Sequence, residues 1–232
     1  MGKLNKLLFL LAFVSCASIA YEPFTRYMGF DAQIRRMNFR GGYGDNLLHS
    51  NLFQRNPYVG VKFNDHLSLE IGYGSTVLRS RTATLTTGDV CGGVRILSTL
   101  SPISFKSTLK IHYPHASFLI FYPLPEGVPV HFFGAFGIGM SFIKGEVIRK
   151  TISLANHPVY RVKTFSSNKN ILRVGGGVQC MFTSNLGLRG TVFLENTHRF
   201  IMTSSDDTFT LFTHMIKTRK TILYGLGIFV GW

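Results

Sequence analysis

The last twelve residues, 221–232, constrain this chain most. Ile222, Tyr224, Leu226, Ile228, Val230 and Trp232 are large and apolar. The intervening Thr221, Leu223, Gly225, Gly227, Phe229 and Gly231 are mostly small. A period of two belongs to a β-strand, whose successive side chains leave on opposite faces. The bulky set carries no charge, and the facing set holds too many glycines to fill the core of a soluble sandwich. A strand of this kind suits a closed barrel in a bilayer, apolar and aromatic outside, small or polar inside. Its length is about what an oblique crossing of the hydrocarbon requires.

Seven earlier segments repeat the alternation. The pattern predicts strands over 27–35, 57–63, 67–80, 105–122, 130–144, 171–182 and 186–200, with the eighth under way by Lys217. Pro114 interrupts the fourth and predicts a bulge, or an upper part outside the membrane. Short connections are expected at 64–66, 123–129 and 184–185. Long ones are expected at 37–56, from about 81 to 104, at 146–169 and around Asp206 and Asp207. Alternating short and long connections are the mark of an outer-membrane barrel, with turns on the periplasmic side and loops outside. An even strand count returns both termini to the periplasm. It also gathers Phe63, Phe132, Phe182 and Trp232 at one rim, where an aromatic girdle belongs.

The formal net charge of +14 makes nucleic acid the first partner to test. The cations are scattered, without a Lys/Arg block or a recognised nucleic-acid motif, so that class is set aside. Residues 1–20 have the layout of a secretory signal peptide: Lys3 and Lys6, an apolar run over 7–14, then Ser18-Ile19-Ala20. The barrel is then expected over 21–232. Phe13-Val14-Ser15-Cys16 also resembles a lipoprotein box, so lipidation at Cys16 and cleavage after Ala20 both stay open. Cys91 and Cys180 fall at opposite ends of the predicted barrel and are expected as free thiols.

The inward-facing set contains Lys62, Glu70, Arg173, Arg189 and Glu195, with Asp31, Gln33, Arg35 and Gln179. Eight strands leave an interior just wide enough for side chains to fill. Charges there must pair, because a lone buried charge is costly. The expectation is a lumen plugged by a charge network, with a gated pore for small solutes as the alternative. Arg79, Arg81, Arg149, Lys150, Lys163 and Arg219 fall in or near the predicted outside loops. They form a candidate basic rim facing lipopolysaccharide phosphates. His112 and His115 make an H-x-x-H whose rings need not converge on a proline-interrupted strand, so no metal is expected. His49-Ser50 with a distant Glu lacks the spacing of the lipid A deacylases. The glycines over 134–139 and 175–177 are followed by no helix and no Lys-Ser/Thr pair, so they cradle no phosphate. No cofactor is implied.

Four stretches carry a family resemblance: Phe118-Leu-Ile-Phe-Tyr-Pro123, His131-Phe-Phe-Gly-Ala-Phe-Gly-Ile-Gly139, Leu172-Arg-Val-Gly-Gly-Gly-Val178 and Tyr224-Gly-Leu-Gly-Ile-Phe-Val-Gly-Trp232. The chain resembles the OmpA-like small outer-membrane β-barrels of the opacity or surface-antigen type, over its whole mature length. The resemblance implies an all-β, eight-stranded, antiparallel up-and-down barrel that is not an enzyme. Its implied role is structural or surface-interacting, in envelope integrity or adhesion, with host surface molecules among its partners. Tyr224, Leu226, Ile228, Val230 and Trp232 resemble the family's signal for the barrel assembly machinery. No peptidoglycan-binding domain is expected after Trp232. A narrow small-solute channel is the alternative function, and a lipid-modifying membrane enzyme a third. A lipocalin-like soluble binder is disfavoured, because its apolar face would point inward.

Overall fold

The computed structural model describes residues 25–40, 48, 50–86, 90–91, 94–95, 103–122, 130–152, 158–183, 185–196, 199–201, 215–218 and 220–232. The predicted leader with Cys16, and the residues His49, 123–129, Ser184, Asp206, Asp207 and Arg219, lie outside them.

Eight antiparallel strands close on themselves. In chain order they are β1 (Thr25–Arg36), β2 (Asn51–Lys62), β3 (Leu67–Thr76), β4 (Ile103–Phe121), β5 (Val130–Ile152), β6 (Pro158–Met181), β7 (Leu186–Glu195) and β8 (Thr221–Gly231). Each strand pairs with the next in sequence, and β8 returns to β1. The pairing is slanted. From Arg26 it passes to Val61, Leu69, Phe118, Phe136, Val174, Leu194 and Ile222, and comes back to β1 at Arg36. One circuit therefore climbs ten residues. With a rise of ~3.3 Å per residue and strands ~4.8 Å apart, the strands tilt by about 40°.

That circuit runs over the outside. Exposed large apolar side chains stand on six of the eight strands: Met28 and Ile34 on β1, Phe118 and Ile120 on β4, Phe136 and Ile138 on β5, Leu172 and Val174 on β6, Leu188 and Val192 on β7, Leu226 and Ile228 on β8; on β2 and β3 the outward Val59, Val61, Leu69 and Ile71 are part-exposed. On β5 the outward apolar run lasts from Phe132 to Phe142, which spans about 25 Å along the barrel axis at this tilt. That is the height of a lipid-facing band. Phe63, Tyr122, Phe132, Phe182 and Trp232 are exposed at the end where the short turns lie. Among the described residues there is no helix.

The turns form for local reasons. Asn64 Oδ1 accepts from the backbone N–H of His66 (2.8 Å) and Leu67 (2.9 Å). Thr183 Oγ1 does the same for Asn185 (3.3 Å) and Leu186 (3.0 Å). Short polar side chains that satisfy the backbone in this way favour turns over strands.

Several predicted boundaries move. β2 starts at Asn51, not at residue 57, so part of the first predicted loop is strand. β5 and β6 run on as a ladder up to the Ile152↔Pro158 pair, through most of the predicted basic loop over 146–169. The reason is a change of surroundings. Below Phe142 the outward face of β5 is apolar. Above it Lys144 and Lys150 point outward, and Ile143 and Val147 point inward and are buried. The apolar set changes sides without any break in the ladder, because the barrel has left lipid and entered water. The predicted seventh strand ends at Glu195. Arg199–Ile201 instead pairs with Met215–Thr218, which reaches Phe39–Arg40.

The expected bulge at Pro114 is absent. His112↔Phe142 and His115↔Gly139 keep one register on either side of it, so the proline forfeits a ladder bond without an inserted residue. The irregularity lies across the sheet on the neighbouring strand. Ser75 pairs with His112 and Arg79 with Leu109, so Thr76, Val77 and Leu78 oppose only Lys110 and Ile111. This β-bulge is closed by Thr76, whose Oγ1 accepts from the N–H of Ile111 at 2.8 Å and donates to its carbonyl at 3.4 Å. Beyond it, in Arg79–Leu85, the inward set is odd-numbered: Ala83 packs against the upper core.

The interior is layered. At the turn end Tyr27, Tyr58 and Phe229 pack edge to face, with centroids 6.3 and 6.4 Å apart. At the other end an apolar cluster including Met37, Leu48, Leu52, Ile111, Ile143 and Phe165 fills the lumen. Polar and charged side chains lie between.

Candidate functional site

The middle layer is one connected network. Glu195 accepts two hydrogen bonds from Arg35, at 2.6 and 3.2 Å. Arg35 Nε donates to Gln54 (2.9 Å), Gln54 to Gln33 (3.0 Å), and Gln33 to Asp31 (3.3 Å). Arg189 grips Asp31 with Nε and Nη2, at 2.9 and 2.7 Å, and reaches Glu70 with Nη1 at 2.5 Å. Tyr27 donates to Glu70 at 3.0 Å and contacts Ser68 at 2.9 Å. The ion pairs lie almost wholly out of solvent, and both Arg–carboxylate forks are bidentate, the geometry in which such pairs are strongest.

Register explains why these residues meet. Glu70, Ser117, Gly137, Arg173 and Glu195 occupy one slanted inward row, each the lateral partner of the next. Asp31, Gly227, Arg189 and Gln179 occupy another. Gly227 stands between Asp31 and Arg189, and a Cβ there would strike Asp31 Oδ1. The small set of the closing strand is small because side chains from its neighbours cross over it.

Of the five predicted lumen charges, Glu70, Arg189 and Glu195 belong to the network. The other two depart from the expectation. Lys62 ends β2 at the rim, and its Nζ reaches out to Asp65 in the turn at 3.2 Å, with both side chains solvent-accessible. A long side chain at a strand end can carry its charge into water, so it does not enter the lumen. Arg173 is buried and points inward, but its Nε and Nη1 have no hydrogen-bond partner among the described residues. Its guanidinium instead lies 3.6 Å from the Phe193 ring centroid. Gln179 is buried as well.

Gln54, Asn56, Tyr27 and His115 are network members that the sequence reading missed. Gln54 and Asn56 alternate with Arg55 and so follow the period of two. The outward Arg55 and Pro57 hid them by making the segment resemble a loop. In the H-x-x-H the spacing of three places the rings on opposite faces. His115 Nε2 meets Asn56 Oδ1 inside the barrel at 2.8 Å, and His112 Nδ1 meets Tyr73 OH at 2.7 Å. Among the described residues no cluster of His, Cys, Asp or Glu has metal-binding geometry. Cys180 is a free thiol.

Of the six residues expected in the basic rim, Lys150 is exposed on the upper part of β5. Arg81 turns inward and donates to the Leu48 carbonyl at 2.9 Å, so it is no rim cation; the bulge before it reverses the faces. Arg79, Arg149 and Lys163 lie on strands, but their side chains are outside the described set. A different group of cations stands out. Arg36 on β1, Arg55 on β2, Lys110 on β4, Lys144 on β5 and Lys220 before β8 are all exposed on the outward face, at the upper edge of the apolar band. Lys110 and Lys144 are direct cross-strand partners. Like charges placed opposite each other destabilise a sheet unless a counter-charge joins them.

An up-and-down barrel with an apolar exterior and a paired-charge interior defines the class of the small outer-membrane β-barrels. No protein-family model matches the chain, and no curated protein sequence matches it. Solved structures do. The outer membrane protein OprG from Pseudomonas aeruginosa is similar with a TM-score of 0.51 and 7% identity, over 90% of this chain and 95% of that one. A major outer membrane protein from Thermus thermophilus gives 0.49 and 17%, over 88% and 99%. Neisserial surface protein A gives 0.44 and 13%, over 89% and 96%. The likeness to OprG is one of fold.

Proposed function

We propose that this protein is a bacterial outer-membrane β-barrel with a structural and surface-interaction role, not a catalytic one. The observation that carries this reading is its inverted polarity. Leu226 is 74% exposed and Ile120 63%, while Asp31, Gln33 and Arg35 are 0%. An apolar surface continuous around a closed barrel is a liability in water and the requirement in lipid. The aromatic layer below the charges and the apolar cluster above them favour a plug over a solute channel. In this reading residues 1–20 direct export, and the alternate residues Tyr224, Leu226, Ile228, Val230 and Trp232 are read by the barrel assembly machinery. Both termini face the periplasm, because β1 and β8 begin and end beside the short turns.

The outward cations above the band match the phosphates of lipopolysaccharide in charge and height, and Lys110 beside Lys144 is the best-formed pair. The watery upper hairpin of β5 and β6 is the part offered to host surface molecules. Refolded protein with Lys110→Gln and Lys144→Gln together should bind lipid A vesicles roughly fivefold more weakly than wild type, at matched ionic strength. Unchanged affinity would remove the lipopolysaccharide reading. A chain that refolds in detergent without any difference in gel migration before and after boiling would remove the barrel reading.

A further inference from the structure

We propose that the outward wall of β2, β3 and β4 holds one lipid A molecule by a phosphate, in a polar notch cut into the lipid-facing band around Arg55. This rests on the outer-membrane reading above and narrows it: the outward cations are not an even ring, and one wall carries a defined site. Phe142, His112, Ser75 and Arg55 are lateral partners in a single outward row, on β5, β4, β3 and β2. On β5 this row is the top of the apolar run. The pairing climbs from β1 round to β8, so each step from β5 back toward β2 descends by about 3 Å at this tilt. The Arg55 backbone therefore stands about 9 Å lower along the axis than that of Phe142, near the height of the exposed Ile138.

Polar groups gather on the lipid side of this wall. His112 Nδ1 lies 2.7 Å from Tyr73 OH and 3.4 Å from Ser75 Oγ. Lys110 is exposed two residues above His112 on the same strand. Arg55 and Lys110 form no ion pair among the described residues. β2 and β4 contain no Asp or Glu, and Glu70 of β3 points into the lumen. Apolar surface closes the patch from both sides along β3. Leu69 and Ile71 lie below it, and at the bulge Val77 and Leu78 stand above it, 36% and 62% exposed. A polar patch bounded above and below by apolar side chains fits an amphiphile's headgroup better than bulk water. A cation held against hydrocarbon without a counter-charge is costly. A phosphate supplies that charge, and the guanidinium fork of Arg55 matches its geometry, with Lys110 as a second cation. Lipid A joins phosphate to a sugar headgroup, and its acyl chains would run down the wall over Leu69 and Ile71. Arg36 has no such notch. It stands above the exposed Ile34 and beside Ile222, at the ordinary edge of the band.

The test refolds the full mature barrel in detergent, adds lipid A, and counts retained lipid by native mass spectrometry. Wild type should keep one phosphorylated lipid A per barrel and release dephosphorylated lipid A. Arg55→Gln should weaken retention roughly tenfold, the loss of a charged hydrogen-bond donor. Ser75→Leu fills the notch with a side chain suited to lipid contact and should abolish retention while keeping the heat-dependent gel shift. Arg36→Gln together with Lys220→Gln should leave retention unchanged. Equal retention of the two lipids, several lipids per barrel without a preferred count, unchanged retention in Arg55→Gln, or an equal loss from the Arg36 and Lys220 pair would each overturn the notch. If Arg55→Gln does not refold, Ser75→Leu and the comparison of the two lipids decide. The wider reading fails separately: a notch overturned while the Lys110 and Lys144 double variant still loses lipid A vesicle binding leaves the lipopolysaccharide reading standing.

Discussion

Arg189 and Asp31 meet across a glycine: two hydrogen bonds of 2.9 and 2.7 Å join them over the backbone of Gly227 on β8. The closing strand thus has two tasks, an outer face for lipid and an inner face low enough for its neighbours to reach across. Gly227→Val should force Asp31 aside and overpack the lumen. The expected loss is about 1–3 kcal/mol from overpacking alone, read as a lower urea midpoint from Trp232, the only tryptophan. A midpoint equal to wild type would mean that the two side chains do not cross there.

The Arg35–Glu195 pair has side chains fully out of solvent. Removing one partner of such a pair strands the other and costs about 3–5 kcal/mol, whereas replacing both by apolar groups of similar size is close to neutral. Arg35→Met and Glu195→Leu should each destabilise strongly, and the double variant should recover most of the loss. A double-mutant cycle in refolding detergent checks this; simple additivity would contradict the pairing.

The upper apolar cluster closes the lumen through Leu52, Met37 and Leu48, all at most 2% exposed. Leu52→Ala should cost about 2–5 kcal/mol, as for other large-to-small core changes. Wild-type protein in planar bilayers should show no single-channel openings. Regular openings from pure refolded protein would contradict a filled lumen.

Lipid contact makes a directional claim about the outer face. Leu226→Arg, at a position 74% exposed, should destabilise the barrel by about 2–4 kcal/mol in vesicles if it lies near the bilayer midplane. In a water-soluble fold the same exposed substitution would be nearly silent. Equilibrium unfolding from vesicles separates the two.

The membrane part of this fold was legible because lipid outside and packed side chains inside keep one parity along a strand. β8 and the lower half of β5 show it plainly, and Asn64 marks a tight turn by its own side-chain chemistry. Legibility fails where the surroundings change. Above Phe142 the apolar set of β5 moves inward to Ile143 and Val147, so a rule tuned to lipid reads a loop. At Thr76–Leu78 one extra residue reverses the faces, and Arg81 lands inside instead of on the rim. The charge network was visible as a set of inward residues but not as a set of pairs. Glu195 lies beside Arg173 in register and still chooses Arg35, a choice made by side-chain reach across the lumen.

The account depends on the apolar face meeting hydrocarbon, and collision of nitroxide labels with oxygen and with a water-soluble nickel complex tests that directly. Labels placed singly at Phe136, Leu172 and Leu226, in protein whose native cysteines are changed to serine and refolded into vesicles, should collide often with oxygen and rarely with nickel. Labels at these positions that are immobile and shielded from both reagents, or open to nickel, would contradict it and return the chain to a water-soluble fold.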